Sequence, residues 1–144
     1  MASYKFRQDP GPQNALGLVR INMPNKHSVY LHDTPLKSLF SQSARAFSSG
    51  CVRVERVFEL AAWLLGTQKG WDLARVEEQV AGGQKLDVKL AKPVPVHFVY
   101  LTAFASTNGV AHFRPDIYGR DSSFGGPDDQ QDAVVAQQIR AVTP

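Results

Sequence analysis

The hydrophobic positions of this chain change period several times along its length, and each change marks an element. From Leu18 to Met23, Val19, Ile21 and Met23 alternate with Leu18, Arg20 and Asn22, a two-residue period that predicts a half-buried strand. "PNK" breaks it, and "SVYLHD" (Ser28 to Asp33) predicts a second strand. There Val29 and Leu31 face one way and Ser28, Tyr30 and His32 the other. "DTPLKSLF" carries a helix start, with Thr34 as the N-cap and Pro35 at the first helical position. In "ERVFELAAWLL" the spacing puts Val57, Leu60, Ala61, Leu64 and Leu65 on one helical face, and Gly66 is placed to stop it. "WDLARVEEQVAGG" predicts a second helix ended by Gly82 and Gly83. Trp63 and Trp71 are expected in the core or between helices.

Strand material returns in "KLDVKLAKPVPVHFVYLTAF", where Leu86, Val88 and Leu90 alternate, and then Val96, Phe98 and Tyr100 with His97, Val99 and Leu101. "TNG" predicts a hairpin turn into "VAHFRPDIYG". The charges from Asp116 to Asp121 read as a solvated turn. From Ser122 the chain turns polar and rich in Gly, Asp and Gln, which predicts a tail with a short helix through "DAVVAQQIRAV". The sum is an α+β chain, mainly β with packed helices, with one domain over residues 1–121 and a polar C-terminal tail over 122–144.

Composition changes this picture little. At 144 residues with 43% hydrophobic and 20% charged positions the chain can bury a core, which excludes wholesale disorder. The 16 basic and 13 acidic residues are interspersed, so the formal charge of +3 makes no stripe and no nucleic-acid partner is indicated. No apolar run is long enough for a membrane span. "MASYKFRQDPGP" has no apolar centre, so it is not a signal peptide.

The chemistry concentrates in "FSSGCVRVE", which holds the single cysteine, Cys51. One cysteine excludes an internal disulfide. It leaves a small buried apolar residue, a stray thiol or a nucleophile. A nucleophilic thiol needs an imidazole, a helix N-terminus or backbone N–H groups nearby. Gly50 allows a tight turn that could aim the N–H groups of Gly50 and Cys51 at an oxyanion. His32, at the end of a predicted strand, meets Cys51 if the two strands are neighbours. His27, His97 and His112 read as turn or sheet residues, and no group of ligands has zinc spacing.

"YLHDTP" (Tyr30 to Pro35) followed by "RAFSSGCVRVE" (Arg45 to Glu55) resembles the active-site signature of the L,D-transpeptidases, the YkuD-type catalytic domain, and within it the YcbB-like branch. The likeness extends through "FRQDPGPQNALGLVRINMPN", "PVPVHFVYLTAF" and "FRPDIYGRD", from Tyr4 to Asp121. It implies a catalytic domain of β-sandwich type whose N-terminal strands and capping insertion are absent from this chain. Cys51 is then the nucleophile and His32 its general base. The backbone of Gly50 and Cys51 forms the oxyanion hole, and Arg53 orders the site or meets a substrate carboxylate. Ser49 stands where many relatives carry a second histidine. Apart from the resemblance, Tyr30 shares the His32 face of its strand, which leaves it two roles, lining a substrate groove or packing.

The implied reaction is 3→3 cross-linking of peptidoglycan through a cysteine thioester. Its partners are a tetrapeptide donor stem and a diamino-acid acceptor, with carbapenems as inhibitors and no metal or organic cofactor. The implied location is the periplasm, in the bacterial cell envelope. A cysteine-dependent L,D-carboxypeptidase that hydrolyses stem peptides and a non-catalytic wall-binding fragment are the alternatives.

Overall fold

A computed structural model describes Tyr4, Gln8, Asp9, Gly11 and residues 13–121. The polar tail and its short helix lie outside the described residues. Two compact units divide the chain, Met1–Val94 and Pro95–Pro144.

The first unit has a three-stranded sheet followed by two helices. Strand β1 (Arg20–Ile21) pairs antiparallel with β2 (Leu31–His32), and β2 pairs parallel with β3 (Val52–Arg53). The predicted strands are present but shorter than their alternation, because the ladder is confined to residues where all three chains meet. Asn25 shapes the turn between β1 and β2: its Oδ1 accepts the N–H groups of His27 and Val29, and its Nδ2 donates to the carbonyls of Met23 and Val29. After β2 the expected helix is a single 3₁₀ segment, Lys37–Ser41, and Leu36 rather than Thr34 is its N-cap. The Thr34 hydroxyl still accepts a backbone N–H, that of Leu36, two residues on.

Helices α1 (Val57–Leu65) and α2 (Leu73–Ala81) form as the pattern predicts, with Gly66 and Gly82 as C-caps. Val57, Ala61 and Leu65, one turn apart, are the buried line of α1. Ala61 and Leu65 pack with Val76 of α2, and Val19, Phe58, Ala62, Trp71 and Leu90 close around them. Trp71 is thus a packing residue as expected. Trp63 is not: it is 67% exposed, because its position turns it off the line made by Ala61 and Leu65. Asp72 caps α2, its side chain accepting the Arg75 N–H at 2.8 Å. Asp72→Ala is expected to destabilise the unit by about 1 kcal/mol, the usual worth of an N-cap, measurable as a lower urea midpoint with unchanged slope.

"KLDVKL" forms no paired strand. In the second unit, β4 (Ala103–Ala105) and β5 (Ala111–Phe113) make the predicted hairpin. His112 stacks on Phe104 and its Nε2 lies 3.2 Å from the Ser106 hydroxyl. The segment from Asp116 to Asp121 is the solvated turn expected, exposed from Tyr118 to Asp121, and side-chain bonds hold it. The Tyr100 hydroxyl donates to Asp116 at 2.6 Å, the Asp121 N–H donates to the same carboxylate, and Arg120 lies over the rings of Tyr100 and Tyr118. The Asp121 N–H and the Tyr100 hydroxyl hold the Asp116 carboxyl below the usual carboxylate range. Burial and the carboxylate beside it push the Tyr100 phenol up.

Candidate active site

The register of the three-stranded sheet assembles the site. Arg20 lies opposite His32 on β1, and Arg53 lies opposite His32 on β3. Paired residues project to the same face of a sheet, so Arg20, His32 and Arg53 form one row across it. Ile21, Leu31 and Val52 form the next row, on the other face. The backbone bonds from Val52 N–H to the Tyr30 carbonyl (3.0 Å) and from Val54 N–H to the His32 carbonyl (2.9 Å) fix this pairing. Cys51 stands one residue before β3, and the pleat carries it to the face of Arg53 and His32, beside Tyr30. His32 and Arg53, distant in sequence, are therefore neighbours on one face, and the same alternation continued one residue before each strand's start brings Tyr30 and Cys51 beside them. Ser49 does not join them. It lies exposed in the loop before Cys51.

His32 is buried, 4% exposed. Its Nδ1–H donates to the carbonyl oxygen of Asp33. Successive residues of a strand face opposite ways, so the carboxylate of Asp33 cannot hold the imidazole, but its backbone carbonyl can. This bond assigns the proton to Nδ1 and leaves the Nε2 lone pair available as a base. The Tyr30 ring packs edge-on against the imidazole, with centroids 5.9 Å apart, and the Arg20 guanidinium covers the Tyr30 ring at 5.2 Å.

Cys51 is a half-buried free thiol. The loop before it is held by Ser48, whose hydroxyl donates to the Cys51 carbonyl at 2.5 Å and accepts the Gly50 N–H at 3.4 Å. Gly50 has φ +150°, outside what side-chain-bearing residues readily adopt. Helix α1 begins only after β3 has intervened. Arg53 is half-buried, and its Nε is a buried donor with no hydrogen-bond partner among the described residues.

Sequence reasoning missed three contributors. Ser48, not Ser49, is the loop serine bonded to the cysteine backbone, and two adjacent serines cannot be told apart by pattern. Arg20 joins the histidine row only through strand register. The Asp33 carboxylate is the third, since strand alternation points to a backbone carbonyl for His32 but not to the carboxylate's own partners: it is buried and accepts the Leu18 N–H at 3.0 Å and the Lys37 ammonium at 2.6 Å. Burial pushes its pKa up, but the bond from Lys37, the N–H groups of Leu18 and Thr34 and the Lys37 charge outweigh burial and hold it below the ordinary 3.8.

A depressed folded-state pKa means that the unfolded chain binds the proton more tightly. The Asp33 contribution to stability is therefore complete above 3.8 and is lost as the pH falls through the lower folded value. Melting temperatures of the parent and Asp33→Asn across the acid range are expected to converge as the pH falls.

A thiol one residue ahead of a strand paired directly with that of a carbonyl-oriented imidazole is the combination that acyl transfer through sulfur calls for. The L,D-transpeptidase (YkuD) catalytic-domain model matches residues 1–96, which is the first unit and the two residues after it. The chain belongs to this family. Over 118 residues it is 40% identical to a Haemophilus influenzae protein whose name assigns it, provisionally, to the L,D-transpeptidases. That match covers 82% of this chain and 24% of the relative, so the chain spans about a quarter of that protein's length. The family domain is of β-sandwich type, and the α+β architecture of two helices with small sheets agrees with it. Among the described residues, no helix is long and apolar enough to cross a membrane.

Proposed function

We propose that this chain carries the nucleophile and base of a peptidoglycan L,D-transpeptidase of the cell envelope. The observation that supports it most is the parallel pairing of β2 with β3, which brings the start of β3, one residue after Cys51, against the strand of a carbonyl-oriented His32. His32 Nε2 takes the thiol proton as sulfur attacks the carbonyl after the third residue of a tetrapeptide stem. The C–N bond to the terminal D-alanine breaks, and the imidazolium gives its proton to the leaving amine. The side-chain amine of a second stem attacks the thioester carbonyl, its proton passes to His32, the C–S bond breaks, and a 3→3 cross-link results.

The backbone N–H of Cys51 is our candidate for the oxyanion site; that of Gly50 joins it only by leaving the Ser48 hydroxyl, which it meets at 3.4 Å. Arg53 is our candidate for a stem carboxylate. A buried Nε–H without an acceptor costs about 1–3 kcal/mol, and an incoming carboxylate would relieve this. Tyr30 and Arg20 supply the adjoining wall.

Intact-protein mass spectrometry after incubation with a carbapenem tests the reading. One covalent adduct on the parent chain is expected, on the peptide that contains Cys51. A folded parent that stays unmodified counts against it, as does an adduct on another residue. Stem-peptide products then separate transfer from hydrolysis: cross-linked dimers mean transfer, free tripeptide means water as acceptor.

A further inference from the structure

We infer that the Asp33 carboxylate and Lys37 form a clamp that positions His32, holding the peptide whose carbonyl fixes the imidazole and tying the histidine strand to the cysteine strand. The inference rests on the roles proposed for His32 and Cys51, and it concerns residues that do not touch the reacting atoms.

The clamp grips the chain at three places. Before β1, Asp33 accepts the Leu18 N–H at 3.0 Å, and its own N–H donates to the Val19 carbonyl at 2.8 Å. After β2, Lys37 donates to Asp33 Oδ1 at 2.6 Å. Beyond β3, the same ammonium donates to the Glu55 carbonyl at 3.2 Å. One carboxylate thus joins the entry to β1, the exit from β2 and the exit from β3. The carbonyl that orients His32 belongs to Asp33 itself, so fixing Asp33 on both sides fixes the acceptor of the Nδ1 proton. Thr34, on the other side of that peptide, is 1% exposed and cannot swing.

An ion pair on an open surface contributes little. Here the carboxylate is 7% exposed and the lysine 49%, so removing the lysine strands a buried charge. A tilted Asp33 peptide moves Nε2 relative to the thiol, and misplacement on the order of 1 Å lowers rates by up to about a hundredfold.

A merely stabilising ion pair and a positioning clamp predict different outcomes. The test uses the full chain as Lys37→Met, Lys37→Arg and Asp33→Asn. It measures the Nδ1–H and ring ¹⁵N resonances of His32 by NMR and the rate of carbapenem acylation, both well below each variant's melting temperature. Lys37 is half exposed, so Lys37→Met removes little packing, and circular dichroism at the assay temperature selects the folded variants for comparison.

In Lys37→Met the Nδ1–H resonance should shift or broaden and acylation should slow by about tenfold. Lys37→Arg, which keeps the charge and the reach, should recover most of both. A folded Lys37→Met with the parental His32 resonances and parental acylation rate would overturn the inference, however much its melting temperature falls. If the parent itself is not acylated, the failure belongs to the proposed roles of Cys51 and His32, and the His32 resonances still decide whether the clamp positions the ring.

Discussion

Cys51→Ala is expected to abolish covalent capture of a carbapenem, and His32→Ala to slow it by about 10²–10⁴-fold, the usual range for removing a general base. The two losses differ in kind. Without Cys51 there is no sulfur to carry the acyl group, so no adduct forms at any time or concentration. Without His32 no neighbouring base takes the proton as sulfur attacks, so the step slows, but the sulfur that carries the acyl group is still present. A time course of adduct mass separates them: zero amplitude for Cys51→Ala, full amplitude at a lower rate for His32→Ala. His32 is buried, so its truncation also leaves a cavity. Circular dichroism at the assay temperature controls for that. A folded His32→Ala acylated at the parental rate would remove His32 from the mechanism.

Gly17→Ala is expected to be the most damaging single-methyl change in the first unit. Gly17 has φ +58°, a left-handed conformation that disfavours any Cβ by about 1–2 kcal/mol. The added methyl would also sit 2.3 Å from Asp33 Oδ2 and 2.5 Å from its Cβ and Cγ. Those distances cannot be met, so Asp33 must move, and it cannot move without loosening its bonds to Leu18 and Lys37. Strain of this kind in a packed site adds about 1–3 kcal/mol. The sum, about 3 kcal/mol or more, is a large share of the stability of a small domain. A urea titration reads it as a lower midpoint. An unchanged midpoint would mean that the chain yields at Gly17 without disturbing Asp33.

The parts of the molecule legible in the sequence are those set by local periodicity. The lines of α1 and α2, the glycine stops and the Thr107–Gly109 hairpin turn follow from spacing alone. The shared face of Tyr30 and His32 does too, since strand alternation is a local property. The proposed pair of His32 and Cys51 is readable as a motif, but its geometry is not, because register between β2 and β3 is a long-range fact. The same applies to Arg20, which reaches the row only by pairing with His32. Trp63 was misplaced because its neighbours on α1 are also apolar and the period alone did not say which would turn outward. The corner of Tyr100, Asp116 and Arg120 was hidden because it joins a strand-like segment to a charged turn. Asp33 was hidden because its partners precede β1 and follow β2.

His32 and Arg53 sit on strands bonded directly to each other, yet the chain between them leaves the sheet, passes through the 3₁₀ segment and returns along a largely exposed loop. Their spacing is therefore written in the ladder and not in the connection. The stretch around Gln42 to Arg45 takes no part in that ladder, so a change in its length or sequence leaves the pairing of His32 with Arg53 in register.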